Sequence, residues 1–316
     1  MGYHSPGVGF NTDLTTPEAY ATGVLRWCLI AVALAGCDLV FTVDVEDGCL
    51  LAWENGPLAL SPPRLISELA DPASQFWPSL TADGNTLYFA RDSGDQTRDL
   101  YVATRDGAGA PWSTPVRVEE LTTAGDEQRI TLDASGTIAV FAANRDGSTD
   151  LYYTTRAGAA SPFGEPTRMH FDDVNDDFNG DFDPELSFDG TRLFYAPYTG
   201  AQQYVRITSR STIDQPFGPP TDVGGIAVTD ESGDPTLSRD ERILVYATGD
   251  LSSENDIYYT VRESPAAAFG PPTQVPGANV PDFDDSETEL SPDACELFFA
   301  STRDGRYQLY VAEVVR

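Results

Sequence analysis

The sequence predicts an all-β fold, a β-propeller of five blades with four antiparallel strands in each. Three observations predict it. A segment built on a shared leucine recurs five times, at Leu80, Leu132, Leu186, Leu237 and Leu290, with steps of 52, 54, 51 and 53 residues. Each copy is followed by the same order of elements: an apolar run, a polar turn, an aromatic run and a Pro-containing connection. The chain also holds 27 Gly and 23 Pro beside 11% aromatic residues, a composition of frequent tight turns around a core.

The elements follow in chain order. After Arg26, residues 27–34 form a short apolar run that ends in Leu34-Ala35-Gly36-Cys37. A basic residue, an apolar stretch and small residues before a cut site describe a secretory signal, too short to span a bilayer permanently. The four-residue end resembles the bacterial lipobox. That resemblance implies a lipidated Cys37, anchored to a membrane through acyl chains. The expected organisation is a signal peptide over residues 1–36, a linker over 37–62 and the propeller over 63–316. With Cys28 lost and Cys37 acylated, Cys49 and Cys295 remain as an even pair in an oxidising compartment. They flank the two ends of the repeat array, which are neighbours in a closed ring. A disulfide and two free thiols both fit.

The five shared segments are Trp77-Pro78-Ser79-Leu80, Arg129-Ile130-Thr131-Leu132, Asp183-Pro184-Glu185-Leu186, Asp234-Pro235-Thr236-Leu237 and Glu287-Thr288-Glu289-Leu290. Asp-Gly or a variant follows, as in Asp83-Gly84 and Asp189-Gly190, and suits a turn that needs positive φ. An apolar strand comes next, then an aromatic strand ending in Arg, such as Asp99-Leu100-Tyr101 up to Arg105. A connection such as Pro111-Trp112 or Pro216-Phe217 leads into a short final strand. A lone four-stranded sheet leaves both faces open, and radial packing of several buries them. The pattern Leu-Ser-x-Asp-Gly, an apolar strand, then Asp-(Leu/Ile)-Tyr resembles the WD-like repeat of TolB-family propellers over about residues 63–316. The resemblance implies the fold and a periplasmic interaction scaffold. The last copy ends after three strands, so residues 63–69 are expected to supply its fourth. A shortened sixth blade over residues 38–55 is the alternative.

Charge narrows the function. There are 50 acidic and 19 basic residues, a net charge of -31, which repels nucleic acid and anionic lipid headgroups. The two His, His4 and His170, are too few for a His-rich metal site or a Ser-His-Asp triad. Asp183, Glu185, Asp234, Glu287 and Glu289 occupy matching columns, in loops leading into the first strand of their units. They are expected to crowd one mouth of the central channel and bind there. Asn175, Asp177 and Asn179 alternate ahead of Gly180, with Asp183 three residues on. Alternating oxygen donors before a sharp turn suit calcium. The loop resembles calcium loops of some β-propellers.

No catalytic signature is found. The expectation is a non-catalytic cell-envelope lipoprotein, a monomer that binds a protein or peptide partner. The competing expectation is a glycoside hydrolase using the central carboxylates.

Overall fold

The computed structural model describes residues 48–94, 97–169, 180–198, 203–226, 231–249 and 254–316, together with Met1. The signal segment, Cys37, both His and the calcium-loop residues Asn175, Asp177 and Asn179 lie outside the described residues. The repeats form five separate four-stranded antiparallel sheets. The first blade runs through Gln75–Leu80, Thr86–Asp92, Arg98–Thr104 and Val116–Arg117. The second is Glu127–Leu132, Ile138–Ala143, Asp150–Thr155 and Thr167–Arg168. The third is Asp181–Leu186, Arg192–Pro197, Arg206–Ser209 and Thr221–Asp222. The fourth is Glu231–Leu237, Ile243–Gly249, Asp256–Val261 and Thr273–Gln274. The fifth takes Asp285–Leu290, Glu296–Ser301 and Gln308–Glu313 from the end of the chain and Arg64–Leu65 from its other side. Arg64 pairs with Val311 and Leu65 with Tyr310, so the first strand of the array completes the last blade, as the truncated fifth repeat required.

The repeated polar turn has one construction. In the third blade, the Ser187 hydroxyl donates to Asp189 Oδ1 at 2.8 Å, and Asp189 Oδ1 accepts the Thr191 N–H at 2.9 Å. The Ser187 hydroxyl oxygen accepts the Arg192 N–H. Thr81 with Asp83, Ser238 with Asp240 and Ser291 with Asp293 repeat the pattern. The next residue takes positive φ: Gly84, Gly136 and Gly190, then Glu241 and Ala294 in the two copies that lack glycine.

The core is distributed over the seams between blades. Ile130 and Phe141 of the second blade pack on Tyr88 and Leu100 of the first. Leu193 and Tyr195 of the third blade meet Val140 and Leu151, and Phe194 meets Leu244 and Tyr246 of the fourth. Leu297 and Phe299 of the fifth meet Ile243 and Val245. Phe298 and Leu309 close the ring on Leu87 and Phe89 of the first. Each fully buried Phe or Leu contributes about 1.5–3 kcal/mol, so the seams supply the main stabilisation.

The arginine ending the third strand is the second repeated fastening. Arg105, Arg156 and Arg210 donate Nε–H to the turn carbonyls of Gly84, Gly136 and Gly190, and Arg262 donates to Glu241. Their guanidinium groups stack on Trp112, Phe163, Phe217 and Phe269 of the following connections. The fifth blade has Val314 at this position, bonded through its N–H to Cys295 O.

The missing donor comes from a helix, Gly48–Asn55, in the stretch read as a linker. Trp53, 1% exposed, donates its indole N–H to Ala294 O at 2.8 Å. Ala294 is the fifth blade's counterpart of the turn glycines. A disulfide joins Cys49 on the same helix to Cys295 beside that turn. Glu54 reaches Arg242 of the fourth blade at 2.8 Å. Of the stretch Asp47 to Trp53, which faintly echoes the repeat, Asp47 lies outside the described residues and Gly48 to Trp53 lie in a helix, and the described residues build five sheets.

Candidate axial site

The innermost strand of every blade carries a β-bulge, at matching positions in four blades and one residue earlier in the second. The register shifts between Phe76 and Ser79, Glu127 and Ile130, Phe182 and Glu185, Gly233 and Thr236, and Ser286 and Glu289. At four of the five bulges a residue other than glycine is left-handed: Trp77 at φ 48°, Asp183 at 53°, Asp234 at 53° and Glu287 at 57°. Such backbone is uncommon outside glycine, and bulges re-aim side chains at sheet edges. The acidic residues expected in loops ahead of these strands therefore lie inside the strands. The bulge is the reason, because it turns a strand residue toward the axis without ending the strand.

Two columns of side chains result. The first contains Trp77, Arg129, Asp183, Asp234 and Glu287, and the second Ser79, Thr131, Glu185, Thr236 and Glu289. The inner edge of each sheet has amides without a ladder partner, and buried amides need acceptors. The columns provide them, always from one blade to the next. Asp183 Oδ2 accepts from Asp234 N at 3.3 Å, Asp234 Oδ2 from Glu287 N at 3.1 Å, and Glu287 Oε2 from Trp77 N at 3.0 Å. In the second column Thr131 Oγ1 accepts from Leu186 N at 3.0 Å, Glu185 Oε1 from Leu237 N at 3.1 Å, Thr236 Oγ1 from Leu290 N at 3.1 Å and Glu289 Oε1 from Leu80 N at 2.7 Å. The structure thus brings all five sequence-predicted carboxylates together. Each one fastens its own blade to the following one.

At the centre lies Arg129, a residue the sequence reading did not single out. Its side chain is fully buried. Nε donates to Pro184 O at 3.1 Å, Nη1 to Thr288 O at 3.0 Å and Nη2 to Pro235 O at 2.9 Å. Those three carbonyls belong to the residues between the two columns of the third, fourth and fifth blades. Nη2 also meets Glu185 Oε2 at 3.1 Å and Glu289 Oε2 at 3.4 Å. A signal was available: Arg129 is the one cation in a column holding carboxylates in three other repeats.

One guanidinium meets two of the five axial carboxylates, and burial raises the pKa of all five. Burial pushes Glu289 well above the ordinary carboxylate range, and the Glu185 charge adds to it. Glu287 and Asp234 are likewise raised well above that range by burial first, then by Asp234 and Asp183 respectively. Burial also raises Asp183 and Glu185, against the opposing pull of Arg129. For Arg129 burial disfavours the charge, but Glu185 and Glu289 outweigh it and its pKa is raised.

The two ends of the axis differ. Beside the first column Trp77 donates Nε1–H to Asp234 Oδ1 at 3.2 Å, and Gln203 donates to Asp183 Oδ2 at 2.8 Å. Arg98 stacks on Phe76 and Trp77. Beyond the second column the shared leucines and Glu185 and Glu289 line a cavity of about 50 Å³, room for a few waters. Among the described residues no three His, Cys, Asp or Glu side chains are grouped so as to hold a metal ion. Of the proposed calcium ligands only Asp183 is described, and its carboxylate is engaged at the axis.

No family model matches the chain, and no curated protein matches it. Solved structures do. The catalytic domain of a GH62 α-L-arabinofuranosidase from Coprinopsis cinerea is 11% identical, covering 82% of this chain and 96% of that one, with a TM-score of 0.56. The α-L-arabinofuranosidase PaAbf62A from Podospora anserina is 13% identical, covering 77% and 91%, with a TM-score of 0.53. TolB from Acinetobacter baumannii is 14% identical over 78% of this chain, with a TM-score of 0.48, and the match spans 57% of the TolB chain. At these identities the likeness is one of fold: the chain is a five-bladed β-propeller.

Proposed function

We propose that the chain is a non-catalytic propeller scaffold that binds a protein or peptide partner at the bacterial cell envelope. One observation carries the reading. Each of the five axial carboxylates accepts a backbone amide of the next blade, and two of them also hold Arg129. Groups committed to joining blades are poorly placed to shuttle protons to a substrate. The proposal includes export and a lipid anchor at Cys37, on the sequence of residues 26–37, and calcium at the loop of Asn175, Asp177 and Asn179.

A second reading has a specific observation behind it. Asp183, Asp234 and Glu287 share one column beside Trp77, and burial raises all three carboxyls. A carboxyl kept protonated beside an ionised one is the acid and base pair of a glycoside hydrolase. A screen of aryl glycosides and plant and bacterial glycans separates the two. The scaffold reading expects wild type to turn over no substrate faster than the Asp234→Asn/Glu287→Gln double variant. Hydrolysis by wild type that this variant lacks would establish the enzyme. For the scaffold, in-cell crosslinking should join the exported chain to one recurrent envelope protein, and crosslinks scattered over unrelated proteins would count against it.

A further inference from the structure

The disulfide at the ring closure has two unlike ends. Cys49 is 0% exposed, whereas Cys295, in the turn after Asp293, is only half-buried. An incoming thiolate therefore meets Cys295 Sγ, and the bond it breaks expels Cys49. The surroundings of Cys49 suit a thiolate. It is the second residue of the helix Gly48–Asn55, whose first turn holds no acidic side chain. Helix N-termini and guanidinium groups both lower the pKa of a thiol. Arg316 supplies the guanidinium, donating from Nε to Cys49 Sγ at 3.1 Å and from Nη2 to Cys295 Sγ at 2.7 Å. The Asp293 carboxylate belongs to the other end, where Oδ1 accepts the Cys295 N–H at 3.0 Å. Like charge there disfavours a thiolate on Cys295.

Exchange is fast when the attacked sulfur is accessible and the leaving thiol has a low pKa. Here each sulfur has the feature that its role requires. A disulfide acting only as a staple gains nothing from that division.

We propose that Cys49–Cys295 is a thiol–disulfide exchange site, opened by a dithiol, that controls how firmly the helix covers the fourth and fifth blades. One thiolate of the dithiol attacks Cys295 Sγ. The Cys49–Cys295 bond breaks, and its electron pair leaves on Cys49 Sγ beside Arg316. The second thiolate of the dithiol then attacks the sulfur bound to Cys295, closes the reductant's own disulfide and releases Cys295. The two protons given up by the dithiol end on Cys49 and Cys295. The dithiol loses two electrons and the protein disulfide gains them.

The helix is also held by Trp53 on Ala294 O and by Glu54 on Arg242. Cys49 and Trp53 share one apolar cluster with Ile243, Val245, Leu297 and Phe299 of those blades. Reduction keeps these contacts but removes a tie across 246 residues, so the helix opens locally more often. The opened state bares Ala294 O and the apolar surface under Trp53. This device is independent of what the ring binds.

The test exposes the folded full chain to dithiothreitol at neutral pH, quenches with iodoacetamide and follows Cys49 and Cys295 by peptide mass. Reduction is expected without denaturant. Arg316→Met should slow it at least about tenfold, and Arg316→Lys should keep most of the rate. The direction is decisive, because reduction that waited for the helix to unfold would be sped by loss of the Arg316 contacts. A limiting amount of the monothiol mercaptoethanol should leave its adduct on Cys295, with Cys49 alkylated. In the reduced chain and in Cys49→Ser/Cys295→Ser, hydrogen exchange should rise at least about tenfold in Gly48–Asn55 and stay at the oxidised level in Glu127–Leu132. Reduction only under denaturing conditions, an adduct on Cys49, or Arg316→Met reduced as fast as wild type would each overturn the exchange site. Unchanged exchange in the helix, or lost protection throughout the ring, would overturn its control of the helix.

Discussion

Replacing Arg129 by methionine is expected to cost about 3–5 kcal/mol of folding stability at neutral pH, as removal of one partner of a buried ion pair does. The reason lies in what remains. Glu185 and Glu289 lose their counter-charge while staying at the axis, and the carbonyls of Pro184, Pro235 and Thr288 lose their donor together. A domain with about 5–15 kcal/mol in total would come close to unfolding. Urea denaturation of wild type and variant at one pH measures the loss. Adding Glu185→Gln and Glu289→Gln to Arg129→Met should recover part of it, because glutamine keeps an acceptor for Leu237 and Leu80 and removes the unpaired charge. A loss below about 1 kcal/mol would mean that Arg129 only fills space.

Trp53→Ala is the second large effect, at about 3–5 kcal/mol. The indole is almost wholly buried against Tyr259, at 5.2 Å between ring centroids, and occupies the place that arginine takes in the other four blades. Its loss leaves a cavity under the helix and an unmet carbonyl at Ala294. Because this helix covers the blade that closes the ring, unfolding of the variant should begin there. Hydrogen exchange should speed up first in Glu296–Ser301 and Gln308–Glu313. Uniform acceleration in all five blades would contradict a local role. Arg105→Ala, which removes the equivalent fastening from the first blade, is the comparison.

Most of the fold was legible because a repeat carries its own control. Five copies of Leu80 and its counterparts kept step, and a fifth copy lacking one strand pointed to residues 63–69. The helix Gly48–Asn55 was not legible. It is a single copy, only eight residues long, with no acidic residue in its first turn to mark its start. What fixes it is tertiary: one tryptophan filling the place of an arginine that Val314 cannot supply. At the axis, the column positions of Asp183, Glu185, Asp234, Glu287 and Glu289 placed them together. Their occupation could not be read from spacing. Whether a carboxylate faces a ligand or the next blade's amide depends on the bulge, and the bulge residues here are Trp, Asp and Glu where glycine would have announced it.

The central claim, that the axial carboxylates are buried fastenings, has a direct test in the pH dependence of melting. A carboxyl whose folded pKa is raised adds stability fully below its unfolded pKa and loses it as pH rises through the folded value. Asp234, Glu287 and Glu289 are raised well above 3.8, 4.5 and 4.5. Asp83 and Asp189 are lowered, so they lose their contribution only as pH falls below about the ordinary 3.8. The melting temperature should therefore climb from pH 8 to a maximum near roughly pH 5. The net charge of -31 pushes the same way, so a variant is needed to isolate the axis. Glu287→Gln keeps an acceptor for the Trp77 amide and leaves the surface charges unchanged. The account predicts that Glu287→Gln melts above wild type at pH 8 and that the difference shrinks toward pH 5. A wild type that melts higher at pH 8 than at pH 5, with Glu287→Gln below it throughout, would contradict the account.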